Sequence, residues 1–575
     1  MKFATTQVLL LQPWVEDFYT TDCRIQPIGL AYLAGSLLRR FPDLDVEIYD
    51  TLAGGEKRSI PWPREFGYLK DFYGHPDSGP FSLFHQYFRF GQGDDAILER
   101  LRGYTPLLVG ISSLFTPYYR QSLALAQLCR RTFPGVPIVM GGSHASLSPA
   151  TLLEPRAATG ETLCDFVLRG ECEESIVELV EYLQGRRPLA EVSNLVSRET
   201  RQPSDSELVT PRREMIPEPE FRGLDARDYT YDRKPMTFLI ASRSCPHRCS
   251  FCSIHAVFGL RYETRDVDGI VEEILRRYRE GIRHFDIEDD NFTFSTEKTH
   301  ELLDRIIELN LPVTFSAMNG ISYISLDDSL LEKMRRAGFA SLNLALVSSD
   351  QVVLEFTRRP HTVERFLRVV AKANELNLRV TAYFILGMPG QTVGEMWGTL
   401  KILGATQCLV GASPFYFTPG SPIHRKEAGN PTIRLASADR DPYFSARLTA
   451  MDLESNDFDR EDVYTCFRMT RVFNYVKRGI DLGLDRDDEY FEPAWRVFRQ
   501  RRWFAESKNG QPPLPFSSKV AELLEVDLRD GEPPVIRGYR TGAEVEVASK
   551  LLLSSSSSRR TGRRRHEGPV EGRLL

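Results

Sequence analysis

Two stretches of the chain alternate short apolar runs with amphipathic segments. In the first, "VLLLQP" (8–13), "VEIYD" (46–50), "LLVGISS" (107–113), "VPIVMGG" (136–142) and "DFVLRG" (165–170) have the length and composition of buried strands. Helix-length segments such as "PIGLAYLAGSLLRRF" and "YYRQSLALAQLCRRTF" lie between them. Strands alternating with helices predict a parallel, doubly wound, Rossmann-like sheet over residues 1–185. An aromatic-rich insertion at about 55–100 follows the second strand, and its rings predict either a cover over a bound group or a small subcore. Residues 186–235 are rich in Pro, Arg, Glu and Ser without a sustained period, which predicts a linker across the surface.

The second series has the strands "MTFLIAS" (236–242), "RHFDIED" (283–289), "PVTFSAM" (312–318), "ASLNLAL" (340–346), "RVTAYFIL" (379–386) and "QCLVGAS" (407–413). In "DVDGIVEEILRRYREG", Val267, Ile270, Val271, Ile274, Leu275 and Tyr278 share one helix face. Six β/α units predict a partial (β/α)6 TIM-like barrel over 236–425, with its site at the C-terminal ends of the strands. The period weakens into a mixed, mostly helical region over 426–552, and the basic, serine-rich residues 553–575 predict a disordered tail.

Composition changes this picture little. At 575 residues the chain exceeds a single core, and 42% hydrophobic with 26% charged residues is ordinary for packed domains. A net charge of −6 gives no reason to expect nucleic acid as the main partner. No run approaches the roughly 20 apolar residues of a membrane span, and the N-terminus reads as a strand, not a leader. Nine unevenly spaced cysteines fit a reducing compartment, so the expectation is a cytoplasmic protein without a membrane partner.

Three of those cysteines change it a great deal. "SRSCPHRCSFCSIH" (242–255) puts Cys245, Cys249 and Cys252 directly after the first strand of the second series. Clustered thiolates select zinc, Cu(I) or iron–sulfur clusters. A closed zinc site needs a fourth ligand, which His247 or His255 can supply. A four-iron cluster ordinarily takes four cysteines, so three leave one iron open for a small chelating ligand.

This C-x3-C-x2-C after the first barrel strand resembles the signature of the radical S-adenosylmethionine (radical SAM) superfamily, including an aromatic, Phe251, before the third cysteine. The resemblance implies a [4Fe–4S] cluster on Cys245, Cys249 and Cys252. It also implies that adenosylmethionine binds the open iron and is cleaved to a deoxyadenosyl radical. The chemistry is then borne by cofactors, with no catalytic side chain expected. Implied adenosylmethionine contacts are Phe251, Glu288, Asp289, Asp290 and Asn291 of "DIEDDNFT", Gly387 and Pro389 of "FILGMPGQT", and Ser348. The acidic run also suits a helix cap, though its place at the C-terminal rim of a barrel favours the ligand, and the glycine loop also suits a plain turn. Related subfamilies end the fourth strand in Glu-Ser; here Val347 stands at the acid's position, so either Ser348, Ser349 or Asp350 substitutes or the ligand is held differently.

The first series resembles the cobalamin-binding (B12-binding) domain of one radical SAM subfamily, through "QPIGLAYLAGSL", "VGISSLFTPYYR", "GGSHASLSP" and "FVLRGECEESI". Ligands of such sheets lie at the carboxyl ends of the strands. That implies cobalamin contacts from Ser112, Thr116, Tyr118, Gly141, Gly142, His144 and Glu171. The chain has no Asp-x-His, and His144 has no adjacent carboxylate to orient it, so no histidine is expected to ligate cobalt. The resemblance implies a cobalamin-dependent radical enzyme that methylates an unactivated carbon of a small molecule. It would draw electrons from an external flavodoxin- or ferredoxin-type donor, and residues 426–552 would shape the substrate pocket. Oxidative ring closure or rearrangement, as in porphyrin ring cyclases, and a non-catalytic cobalamin- or zinc-binding regulator remain as alternatives.

Overall fold

The structure is a computed structural model. It describes residues 7–19, 26–73, 79–158, 160–200, 208–211, 216–359, 362–437, 441–503 and 514–529, with single positions 533, 535 and 539. The expected tail at 553–575 and Cys23 lie outside these residues.

The first module is a six-stranded sheet in the order β2–β1–β3–β4–β5–β6. Its strands are β1 (Gln7–Gln12), β2 (Asp45–Asp50), β3 (Pro106–Ser112), β4 (Ile138–Gly141), β5 (Phe166–Leu168) and β6 (Leu195–Ser197). The first five are parallel, and β6 adds antiparallel to β5. Both faces are covered, so strands such as "QVLLLQ" read as continuous apolar runs. Helix α1 (Ile28–Arg40) and α2 (Glu173–Leu183) share one core with these strands.

The expected linker at 186–235 is more ordered than its composition indicates. It supplies β6, whose three residues are too few to show a period. Its residues near 220 then lie across α1. The amide of Glu220 donates to Ala31 O at 2.9 Å, and a Cβ on Gly35 would sit 2.3 Å from Glu218 O.

The second module contains β7 (Lys234–Leu239), β8 (His284–Ile287), β9 (Thr314–Ser316), β10 (Ser341–Val347), β11 (Arg379–Leu386) and β12 (Leu409–Pro414). Ladders join β7–β8–β9 and β10–β11–β12, and parallel bridges Phe315–Phe339 and Ile321–Leu344 connect the two groups into a half-barrel. Helix α3 (Val267–Arg279) buries Val267, Ile270, Val271 and Ile274, with Leu275 and Tyr278 at the margin. Asp266 caps it by accepting from Gly269 N.

A half-barrel leaves an open edge, an exposed template for further pairing. Here α4 (Val393–Ala405) and α5 (Arg460–Asp481) cover β12. The Asn474 carboxamide accepts from Val410 N at 2.9 Å and donates to Val410 O at 2.9 Å, mimicking a neighbouring strand. Lys477 is buried and donates to the carbonyls of Leu403, Thr406 and Cys408 at 2.6–2.9 Å, which satisfies the C-terminal end of α4.

The aromatic insertion forms a three-stranded antiparallel sheet of Val15–Asp17, Tyr87–Gly91 and Glu56–Ile60. Its rings are neither an isolated subcore nor an open cover. Phe18, Phe66, Tyr73 and Tyr87 merge with the barrel core, and Phe66 stacks on Phe444 at 5.0 Å. Among the described residues, no helix is long and apolar enough to cross a membrane.

Candidate active site

A cavity of about 370 Å³ lies where the carboxyl ends of the first sheet meet the cysteine loop of the second module. Its wall on one side includes Gln12, Gly110, Ser112, Gly141, Gly142 and Glu171; on the other it includes Ser242, Arg243, Ile254, Phe258, Glu288 and Asp290. Leu114 and Phe115 also face it, and both remain largely exposed. Gly142 has φ +117°, and a Cβ there would sit 2.7 Å from Ser113 O, so the turn after β4 accepts only glycine.

The three cysteines follow the short strand Ser242–Arg243, which pairs with Glu263–Thr264 and turns the chain back over the end of the barrel. Two aspartates fix this loop, Asp289 buried and Asp290 on the exposed cavity wall. Asp289 accepts from Ala241 N at 2.7 Å and from Ser242 Oγ at 2.5 Å, and Asp290 accepts from Ser244 N at 3.0 Å. Desolvation pushes their carboxyls up to about 7 and about 6, the loop amides pulling the other way. Cys249 is buried, and Cys245 and Cys252 are half-buried. Side chains already address two of the sulfurs: Asn291 Nδ2 lies 3.5 Å from Cys245 Sγ, and Arg359 Nη1 lies 3.7 Å from Cys249 Sγ. Burial pushes the Cys252 thiol up to about 11 and raises Cys245 as well. Loading a metal cluster therefore releases protons from this loop.

A closed zinc site is not formed by these residues. His255 Nε2 pairs with Cys245 O at 2.8 Å, and the His247 ring packs edge-on against Phe294. Among the described residues, no three His, Cys, Asp or Glu side chains converge as a single ion requires. A cubane instead takes its thiolates on separate irons.

A buried ion triad locks the two modules together at the cavity wall. Arg243, two positions before Cys245, donates from Nη1 to Glu171 Oε2 at 2.8 Å and pairs with Glu173 Oε1 at 2.6 Å. Its guanidinium lies 4.9 Å from the Tyr32 ring centroid. All three charged side chains are at most 10% exposed. The charge-assisted contacts hold the first residues of the cysteine loop against the end of the first sheet.

Two family models match the chain. That of the B12 binding domain covers residues 85–180, and that of the radical SAM superfamily covers residues 239–403. The chain carries a B12-binding domain followed by a radical SAM domain.

Relatives and solved structures agree. The chain is 27% identical over 474 residues to the cytidylyl-2-hydroxyethylphosphonate methyltransferase of Streptomyces wedmorensis, covering 75% of this chain and 83% of that enzyme. It is 24% identical over 319 residues to the anaerobic magnesium-protoporphyrin IX monomethyl ester cyclase of Rubrivivax gelatinosus, covering 54% and 56%. In fold it resembles the radical SAM methyltransferase TsrM from Kitasatospora setae with cobalamin and [4Fe–4S] cluster bound. The TM-score is 0.59 at 16% identity, over 96% of this chain and all of that one. It also resembles the cobalamin-dependent enzyme OxsB with aqua-cobalamin and adenosylmethionine bound, with a TM-score of 0.57 at 13% identity over 97% and 81%.

The cofactors of this radical SAM protein are a [4Fe–4S] cluster, adenosylmethionine and cobalamin. Its residues fit them: three thiols on one loop with donors aimed at two sulfurs, and a glycine-walled cavity at the sheet's carboxyl end. The cavity gathers Ser112, Gly141, Gly142 and Glu171 with Glu288 and Asp290. Other expected contacts are elsewhere. Thr116 is buried off the cavity wall, and Tyr118 OH donates to Asp17 Oδ2 at 2.8 Å. Asp17 in turn forms a buried pair with Arg447 at 3.0 Å, so this corner docks the C-terminal region. Phe251 packs against the barrel core, while Asp289 and Asn291 serve the cysteine loop. Gly387 has φ +76°, and a Cβ there would sit 3.0 Å from Val463 Cγ2; Pro389 beside it is buried.

The residues after Val347 are engaged within the chain. Ser348 is fully buried, accepts from Asp350 N at 3.0 Å and lies 3.5 Å from Thr399 Oγ1. Ser349 N and Oγ also meet Thr399 Oγ1, and Asp350 caps the helix Gln351–Phe356. All three are thus engaged within the chain's own turn and helix cap. Val347 itself sits at a β-bulge with φ +69°, a conformation that β-branched residues rarely adopt.

His144 also lies off the cavity. Its Nε2 is 2.8 Å from Thr151 Oγ1, its Nδ1 has no partner among the described residues, and its ring packs against Tyr119 and Tyr443. Burial lowers its pKa to about 4, with Asp441 opposing. The unfolded chain takes up this proton near pH 6.5. The stability present above that value is therefore lost as the pH falls toward about 4, by up to about 3 kcal/mol. Denaturant unfolding at pH 7 and pH 4.5 is expected to show this loss, and His144→Phe to reduce it; an equal loss in the variant would assign the acid sensitivity elsewhere.

Arg243, Glu173 and Tyr32 lie inside the stretches that carry the resemblances but nothing in the sequence singles them out there, and Arg359 lies in none of them. The Arg243–Glu173 pairing spans 70 positions and exists only in the fold.

Proposed function

We infer that the protein transfers a methyl group from adenosylmethionine to an unactivated carbon of a small molecule, with cobalamin as carrier. The observation that carries this reading is the shared cavity: residues at the sheet's carboxyl end line one side of it and residues flanking the cysteine loop line the other. The methyltransferase named among the relatives supports the reaction type.

When bound, the cluster supplies an electron for cleaving adenosylmethionine, and cobalamin supplies a methyl-carrying centre. Cys245, Cys249 and Cys252 would hold the cluster and leave one iron for adenosylmethionine. Asp289 and Asp290 hold the loop's backbone in place through its amides, which would keep the three thiols in position for it. Asn291 steadies the Cys245 sulfur, and Glu288 and Asp290 line the space between the modules. Ser112, Gly141 and Gly142 would let the corrin approach the backbone, and Leu114, Phe115, Ile254 and Phe258 would help to exclude water once the cofactors are bound. The insertion and residues 441–503 pack together over the barrel core.

A second reading, oxidative ring closure, is favoured by the cyclase relative. Adenosylmethionine labelled in its methyl group separates the two. Methyl transfer places label in the product; an unlabelled product formed with deoxyadenosine supports ring closure.

A further inference from the structure

The cysteine loop has an inner and an outer face, and the two differ in charge. Ser242, Arg243, Ile254, Val257 and Phe258, which flank the cysteines, line the cavity on the inner face. On the proposed function, cobalamin and adenosylmethionine would bind on that side, which leaves the outer face for the approach of an electron donor. On the outer face, Ser250 joins the loop to two neighbouring segments. Its amide donates to Thr357 O at 3.0 Å, and its carbonyl accepts from Ile423 N at 2.8 Å. Arg358 and the helix Pro422–Glu427 are thereby placed beside Cys249.

These segments carry exposed cations. Arg248, Arg358, Arg425 and Lys426 are all exposed. Arg248 and Arg358 make no ion pair among the described residues, and Arg425 donates only to Gly420 O at 2.8 Å. Lys426 pairs with Glu427 at 3.1 Å and lies 4.9 Å from the Phe356 ring centroid. The acids here are Glu427 and the exposed Glu355, so the face is net positive on a chain whose net charge is −6. Arg359, within the same segment, reaches inward to Cys249 Sγ at 3.7 Å, so one side chain links this segment to the sulfur.

We propose that this basic face, Arg248, Arg358, Arg425 and Lys426, is the docking surface for a small acidic electron-transfer protein carrying a flavin or an iron–sulfur centre. The proposal rests on the reading of Cys245, Cys249 and Cys252 as cluster ligands. One electron leaves the donor's reduced centre and enters the cluster; no bond or proton moves with it. Opposite charges steer such encounters, raising association rates by roughly 10- to 1,000-fold at low ionic strength, and salt screens the effect.

The test follows cluster reduction by stopped-flow absorbance in the anaerobically loaded protein, with a reduced acidic flavodoxin as donor. Arg358→Glu/Arg425→Glu is expected to slow reduction at low salt by about tenfold or more, with the difference shrinking at high salt. Reduction by dithionite is expected to stay within twofold of the parent. Glu355→Lys is expected to accelerate the flavodoxin reaction. Flavodoxin rates unchanged by the double reversal, or slowed by Glu355→Lys, would overturn the docking surface. A parent protein that dithionite cannot reduce would instead overturn the cluster reading beneath it.

Discussion

Cys249→Ala is expected to abolish the iron–sulfur absorbance and reductive cleavage of adenosylmethionine, while cobalamin loading stays within about twofold of the parent. The loss is complete because each cysteine anchors its own iron, and no neighbouring ligand stands ready to replace it. Asn291 donates to Cys245 and Arg359 is a cation, so neither can become a thiolate substitute. Cobalamin loading survives because the glycine turn, Ser112 and Glu171 belong to a sheet with its own core. Iron content, absorbance and bound corrin measured on one sample check both halves. Collapse of cobalamin loading together with the cluster would show that the modules do not hold their cofactors independently.

The second large effect is expected at Arg243. Arg243→Met keeps most of the side chain's volume but leaves Glu171 and Glu173 buried without their cation. Removing one partner of a buried ion group costs about 3–5 kcal/mol, much of it from the carboxylates left behind. Because the triad joins the modules, the cost falls on their interface. The variant is expected to lose cobalamin and to become protease-sensitive between the modules. Adding Glu171→Gln and Glu173→Gln to Arg243→Met is expected to recover much of the resistance, since neutral amides cost far less to bury than charges. A triple variant as fragile as Arg243→Met would mean that packing over Tyr32, not charge, accounts for the loss.

Legibility in the sequence followed how local each signal was. The buried parallel strands announced themselves because both faces are covered, which turns them into apolar runs. The cysteine spacing was equally plain, since all three ligands occupy one loop. Strand β6 was missed because three residues inside a polar stretch carry no period. Helix α5 and the insertion form much of the barrel's cap, yet their contacts, such as Asn474 on Val410 and Arg447 on Asp17, join residues far apart in the chain. Val347 was visible as a departure, but its bulge and positive φ were not. The family contacts carried over to Thr116, Tyr118, His144 and Ser348 fell away from the cavity for a common reason: each is used in packing the chain's own segments together.

The central claim is that one chain holds both cofactors facing a common space, with adenosylmethionine on the cluster's open iron. Electron paramagnetic resonance of the anaerobically purified, cobalamin-loaded protein tests it most directly, with the cluster reduced and adenosylmethionine then added. The account predicts a [4Fe–4S] signal, about four irons and one cobalamin per chain, and a change in the cluster signal on adding adenosylmethionine. A colourless zinc protein, or a cluster signal indifferent to adenosylmethionine, would contradict it.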